Sequence, residues 1–148
     1  MNLADGLALL IAAFSAGLAV FGLLFTAQQI KHQKQAQEAS TWLELRRMFA
    51  EHNSVHLALR PGGEWSEPGY GPVSAADWSS VESYMGLFEH CEHLLAKGLL
   101  DRAIFKDIYS YRLWNVVAND VIRNEKLVKN SSGWSAFLRL LDRFEIPH

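Results

Sequence analysis

Arg47 and His52 are separated by four residues in Arg47-Met48-Phe49-Ala50-Glu51-His52, and Arg46 offers the same histidine with five residues between. An imidazole moves protons near neutral pH, and a guanidinium steadies charge developing on a phosphate, so such a pair could cleave a phosphodiester. The spacing alone carries little weight. Eight arginines and six histidines in 148 residues, at three allowed offsets, give about one such pair by chance. Arg143 to His148 is a second match, running across Pro147. The competing reading is a solvated basic cluster.

A second constellation is Glu89-His90-Cys91-Glu92-His93, with His52 and His56 upstream. Glu89/His93 and His52/His56 each lie one helical turn apart, so each pair shares a helix face, as metal ligands on bundle helices do. The Glu-x-x-His pairs of di-iron carboxylate bundles are absent. Exposed helix polarity explains the spacing, with Cys91 pointing to the core, and neither a metal nor a cofactor is expected. Third, Tyr109, Tyr111, Arg112, Trp114, Asn115, Asn119, Asp120 and Arg123 form a polar-aromatic band. Arg112, Asn115, Asn119 and Arg123 fall close to one helical face and are candidates for a partner or ligand pocket. The alternative is a hydrogen-bonded seam that fixes helix register. A phosphate-binding glycine loop, zinc-ribbon spacing and a serine nucleophile elbow are all missing.

The elements that must position these residues begin with a gap in charge. Of 14 basic and 16 acidic residues, only Asp5 precedes Lys31. Gly6 to Ala27 is a 22-residue run without charge, Asn, Gln or Pro, and at about 1.5 Å per residue it spans a hydrocarbon core of about 30 Å. A cleaved signal peptide would want a basic amino-terminal flank and a shorter apolar stretch; the run is therefore read as a retained transmembrane anchor. Lys31 and Lys34 follow it and nothing basic precedes it except the amino terminus, which places residues 28–148 in the cytoplasm with the amino terminus outside. The lone Cys91 agrees with a reducing compartment. Small residues recur at four-residue spacing (Ala13/Gly17 and Gly22/Thr26 among them), which lets two helix backbones approach closely in lipid. Ala13, Gly17 and Gly22 are the expected self-association positions.

No Pro or Gly occurs between residues 23 and 60, so the anchor (residues 1–30) is expected to continue as a helix to about His56–Leu59, burying Trp42, Leu45, Met48 and Phe49. Four Gly and three Pro between Arg60 and Ser74 make that stretch a loop; Trp65 and Tyr70 inside it are expected to fold back on the bundle. Ser74 with Asp77 forms a capping box for a second helix with a stripe of Val81, Tyr84, Met85, Phe88, Cys91 and Leu95, ending at Gly98. Asp101 caps a third, over about 102–125, with Ile104, Phe105, Ile108, Tyr111, Leu113, Val116 and Val117 as its apolar positions. A fourth follows Asn130, burying Trp134, Phe137, Leu138 and Leu141. No segment alternates with period two. The fold class is all-α: a transmembrane helix continuing into an antiparallel cytosolic bundle of about four helices over residues 31–148.

Trp42-Leu43-Glu44-Leu45-Arg46-Arg47-Met48-Phe49, Tyr84 with Phe88-Glu89, Gly98-Leu99-Leu100-Asp101, and Tyr109 to Arg112 with Asn119 and Arg123 resemble a large group of uncharacterised bacterial proteins. These have one N-terminal transmembrane helix and a short cytosolic helical domain. More remotely, the layout is similar to the small membrane accessory protein of RNA-targeting CRISPR systems, in which a membrane helix and a HEPN-like domain assemble into a pore. That resemblance implies a role in antiviral defence through membrane perturbation, and it makes Arg47 and His52 the positions matching the HEPN-type motif. The expected function is a non-enzymatic, homo-oligomeric membrane protein whose bundle docks a cytosolic effector protein or senses a signal. The alternative is a membrane-tethered HEPN-like ribonuclease using Arg47 and His52. A net charge of −2 supplies no basic excess for phosphate contacts and speaks against nucleic acid as a partner. A mean hydropathy of −0.02 averages the apolar anchor with a polar domain.

Overall fold

In the computed structural model, the backbone of residues 3–148 and the side chains of residues 21–148 are described. Every regular element among them is helical: α1 (Leu3–Glu51), α2 (Asn53–Leu59), α3 (Ala75–Ala96), α4 (Arg102–Ala118), α5 (Asp120–Ile122) and α6 (Ser135–Arg143), with a π-helical turn at Arg123–Val128 and a 3-10 turn at Ser131–Trp134. The chain divides into two units, Met1–Ser40 and Thr41–His148.

In the first unit, each residue from Phe21 to Gln37 is exposed. Thr26 donates its hydroxyl hydrogen bond to the Gly22 carbonyl at 2.8 Å, and a side chain added at Gly22 would meet nothing within 4 Å. Among the described residues, no helix is long and apolar enough to cross a membrane. Residues 6–20 of the expected span, including Ala13 and Gly17, lie outside the described side chains.

The second unit is a helical bundle around an aromatic centre. Phe49 stacks on Tyr109 at 4.2 Å between ring centroids and meets Phe88 edge-on at 5.1 Å. Tyr84 meets Phe88 at 5.1 Å, and Phe88 meets Phe137 at 6.0 Å. Edge-to-face and offset pairs of this kind add stability beyond the area they bury. Rings from α1, α3, α4 and α6 thus join the centre, two of them from α3, with aliphatic packing from Leu45, Met85, Leu113, Ile122, Leu140 and Leu141.

Local signals set the ends of α3 and α4. The Ser74 hydroxyl accepts from the Asp77 amide at 3.1 Å while the Asp77 carboxylate accepts from the Ser74 amide at 2.9 Å, completing the capping box. Gly98 takes the left-handed φ of +66°, so its amide reaches the Leu95 carbonyl and the next amide reaches that of Leu94, a Schellman closure. Asp101 then accepts from the Ile104 amide at 2.9 Å.

Two expected helices are broken. The first ends at Glu51, not at 56–59: His52 takes φ −100° and ψ 20°, and α2 restarts at Asn53, where Asn and Ser compete with the helix for backbone bonds. The third stops at Ala118 because Asn119 is extended (ψ 113°) and spends its side-chain oxygen on the Ile122 amide at 2.9 Å. Ile104, Ile108 and Tyr111 are apolar positions of the expected third helix. They are exposed, and with Trp114 they form a stripe along α4, because Phe105, Tyr109, Leu113, Val116 and Val117 already fill the inward face. Trp65 packs against the core as expected, whereas the Tyr70 ring is exposed.

Candidate functional site

The break at His52 gives two imidazoles, His52 and His56, a position where the first long helix of the bundle turns. Both are half-buried. The His52 ring lies 6.0 Å from that of Tyr84 on α3, and the His56 ring lies 6.2 Å from that of Tyr111 on α4. Tyr84 is fully buried, and burial pushes its hydroxyl up to about 12, with the positive Arg112 opposing the shift. Arg112, from α4, lies with its guanidinium carbon 5.7 Å from the centroid of the Phe49 ring. His56 is held below its ordinary value, first by burial and then by the charges of Arg112 and Arg60. His52, Tyr84, Arg112 and His56 therefore form one connected polar cluster at the edge of the aromatic centre.

Hydrogen bonding inside this cluster is incomplete. The Arg112 guanidinium acts on the Tyr84 hydroxyl through its charge and a side-chain hydrogen bond, whereas His56 Nδ1 is buried without a hydrogen-bond partner. Each such group left unmet costs about 1–3 kcal/mol.

Arg47 lies elsewhere. It is exposed, with one guanidinium nitrogen 2.6 Å from Glu44 and another 2.8 Å from Glu51. Those contacts hold its charge and draw the Glu44 carboxylate below the usual range, the hydrogen bond from Arg47 being the largest cause. His52 follows Arg47 by five positions, which places them about 140° apart around a helix. Within one chain the two are not brought to a common face. Arg143, of the second spacing match, is paired with Glu92.

The four residues of the polar band do different things. Arg112 belongs to the histidine cluster. Asn115 is buried, its Nδ2 has no partner, and it lines a recess of about 140 Å³ with Leu59, Trp65, Pro68 and Asn119. Asn119 clasps the 60–74 loop: its Nδ2 donates to the Trp65 carbonyl at 2.9 Å and the Tyr70 carbonyl at 2.8 Å. Arg123 donates to the Val117 carbonyl at 3.0 Å, satisfying a carbonyl left open where α4 stops.

Glu89 is half-buried and accepts from the Phe137 amide at 3.2 Å, so it anchors the start of α6. Cys91 is fully buried, and burial pushes its thiol up to about 12, which suits an inert core residue. Among the described residues, no group of three or more His, Cys, Asp or Glu could hold a metal ion.

Two contributions escape a reading of the sequence. Glu92 is 3% exposed and receives both Nε (2.8 Å) and NH2 (2.6 Å) of Arg143, a two-point carboxylate–guanidinium pair. The available signal is its place one turn after Phe88 on the inward face. Tyr84 is legible as core, but its role in the polar cluster depends on Arg112, 28 residues later in the chain. No family model, curated protein or solved structure matches this chain.

Proposed function

We propose that this is a single-pass membrane protein. Gly6–Ala27 is its anchor, residues 28–148 lie on the cytoplasmic side, and the anchors self-associate. The helical bundle docks a partner or senses a signal. The observation that carries the reading is the exposure of Phe21, Leu23, Leu24 and Phe25, each between 63% and 74%, as the visible end of the uncharged run. Successive residues turn about 100° around a helix, so these four side chains face several directions at once. A helix that is apolar all round belongs in a core or in lipid, and among the described residues no core covers these four side chains. Lys31 and Lys34 sit where a cytoplasmic flank is expected, and the internal hydrogen bond of Thr26 leaves its hydroxyl satisfied away from water.

Self-association draws on the small residues Ala13, Gly17 and Gly22, whose spacing suits close helix contact. The α4 stripe of Ile104, Ile108, Tyr111 and Trp114, exposed at 43–53%, gives the bundle an apolar face suited to a protein partner. Membrane perturbation in bacterial antiviral defence is the concrete form that the resemblance implies. Crosslinking the full chain in membranes tests the association: oligomers are expected, and Gly17→Leu with Gly22→Leu is expected to abolish them. Monomer alone in both would overturn the self-association. RNA cleavage by the purified chain that is lost in His52→Ala, with membrane potential in cells untouched, would favour the ribonuclease instead.

A further inference from the structure

The recess at the end of α4 is lined by Trp65, Ser66 and Glu67 of the loop together with Asn115, Asn119 and Asp120, and it encloses about 140 Å³. Its lining is held in place by the protein itself. The Trp65 amide donates to the Ala58 carbonyl at 2.8 Å, and Asn119 holds the carbonyls of Trp65 and Tyr70. The same bonds use up the side-chain donors. The Asn119 nitrogen is committed to those two carbonyls, and the Ser66 hydroxyl to the Gly63 carbonyl at 2.8 Å. No Lys, Arg or His lines the recess. What stays open is acceptors. Asp120 accepts from the Gly69 amide through Oδ1, which leaves its second oxygen, and neither Asp120 nor Glu67 joins a salt bridge among the described residues. Asn115 is only 5% exposed, and the nitrogen of its amide is enclosed by protein without a partner. The open end of that amide in the recess is therefore its carbonyl oxygen.

We propose that this recess binds a small primary ammonium ion. Two carboxylates and an amide oxygen call for a ligand that is positive and rich in donors, and an alkylammonium carries three N–H groups on one charge. Trp65 adds an aromatic surface, which attracts a cation placed over its face. Leu59 and Pro68 also line the recess, and their apolar surface suits the carbon atoms of an organic cation. Among the described residues, no group of three or more His, Cys, Asp or Glu could hold a metal ion. Size narrows the ligand further. Drug-sized molecules occupy pockets of about 300–1,000 Å³, and one water takes about 30 Å³ of the liquid, so 140 Å³ admits a molecule of only a few heavy atoms. Glu67 and Asp120 supply the charge, and Asn115 sets the depth to which the ammonium enters. With ligands from the loop and from the junction of α4 and α5, the bound cation ties the 60–74 loop to the helix break at Asn119. The site acts by binding alone and needs no other reactant. It does not depend on the membrane reading, and either can fail without the other.

The test is an NMR titration of the full chain in non-ionic detergent with ethylammonium chloride, at ionic strength held constant with sodium chloride. The side-chain resonances of Trp65, Asn115 and Asn119 are expected to shift and to saturate. Tetramethylammonium chloride, a cation of similar size without an N–H group, is expected to leave them in place. Glu67→Gln combined with Asp120→Asn is expected to weaken ethylammonium at least about tenfold, while Asp107→Asn, an exposed carboxylate on α4, leaves the affinity unchanged. Glu67 is itself exposed, so Glu67→Gln alone gives a smaller loss in the same direction should the double variant fail to fold. Amide exchange across residues 60–74 is expected to slow when ethylammonium is bound. Resonances that do not saturate with ethylammonium, an equal response to tetramethylammonium, or an affinity unchanged by loss of the two carboxylates would overturn the proposal and leave the recess to water.

Discussion

One side chain, Asn119, serves three backbone groups: the carbonyls of Trp65 and Tyr70 in the loop and the amide of Ile122. Each bond contributes about 0.5–1.5 kcal/mol net, and buried groups left open cost more. Asn119→Ala is therefore expected to destabilise the bundle by about 2–3 kcal/mol and to speed amide exchange across residues 60–74, whereas Asn119→Asp keeps the cap and loses only the donors. Equilibrium unfolding with exchange mass spectrometry checks both. His56 makes a prediction of a different kind. Burial and the charges of Arg112 and Arg60 lower its pKa in the folded state, so between that value and about 6.5 the unfolded chain binds more protons. Stability contributed by neutral His56 is present above about pH 6.5 and is lost as pH falls through the folded value. A melting series from about pH 7.5 to 5.5 is expected to slope downward, less steeply in His56→Gln.

Between elements, α3 and α6 are pinned by Glu92 and Arg143. Removing the cation leaves a carboxylate buried without its partner, so Arg143→Ala is expected to cost about 3 kcal/mol. Replacing both with leucine costs far less, because the pair's own desolvation penalty disappears with it. Urea unfolding of the single and double variants checks this. These contacts also explain which parts of the fold are legible from sequence. The Ser74–Asp77 box, Gly98 and Asp101 act within four residues, so local chemistry reveals them. Asn119 looks like one more residue of a continuous third helix because its partners lie 49 and 54 positions away, and nothing local announces that the helix stops there. Glu92 reads as surface charge for the same reason. The candidate site follows suit. His52 and His56 are visible as a pair one turn apart, but the sequence motif pairs His52 with Arg47, whereas the fold brings Arg112 to the pair from α4. The loop adds a steric example: a side chain at Gly63 would lie 2.3 Å from the Leu57 carbonyl oxygen, a contact only glycine avoids.

At the scale of the whole molecule, the proposed anchor would divide the chain between two solvents. The bundle of Thr41–His148 has its own aromatic centre and buried ion pair. The helix before it turns large apolar side chains outward from Phe21 to Ile30, where burial in lipid is worth about 25 cal/mol for each Å² removed from water. The bundle would then be held beside the lipid, and tethering raises the effective concentration of copies for one another. Alkaline carbonate extraction of bacterial membranes carrying the full chain tests the anchor most directly. The account predicts that the protein stays in the membrane pellet; its complete release into the supernatant would contradict it.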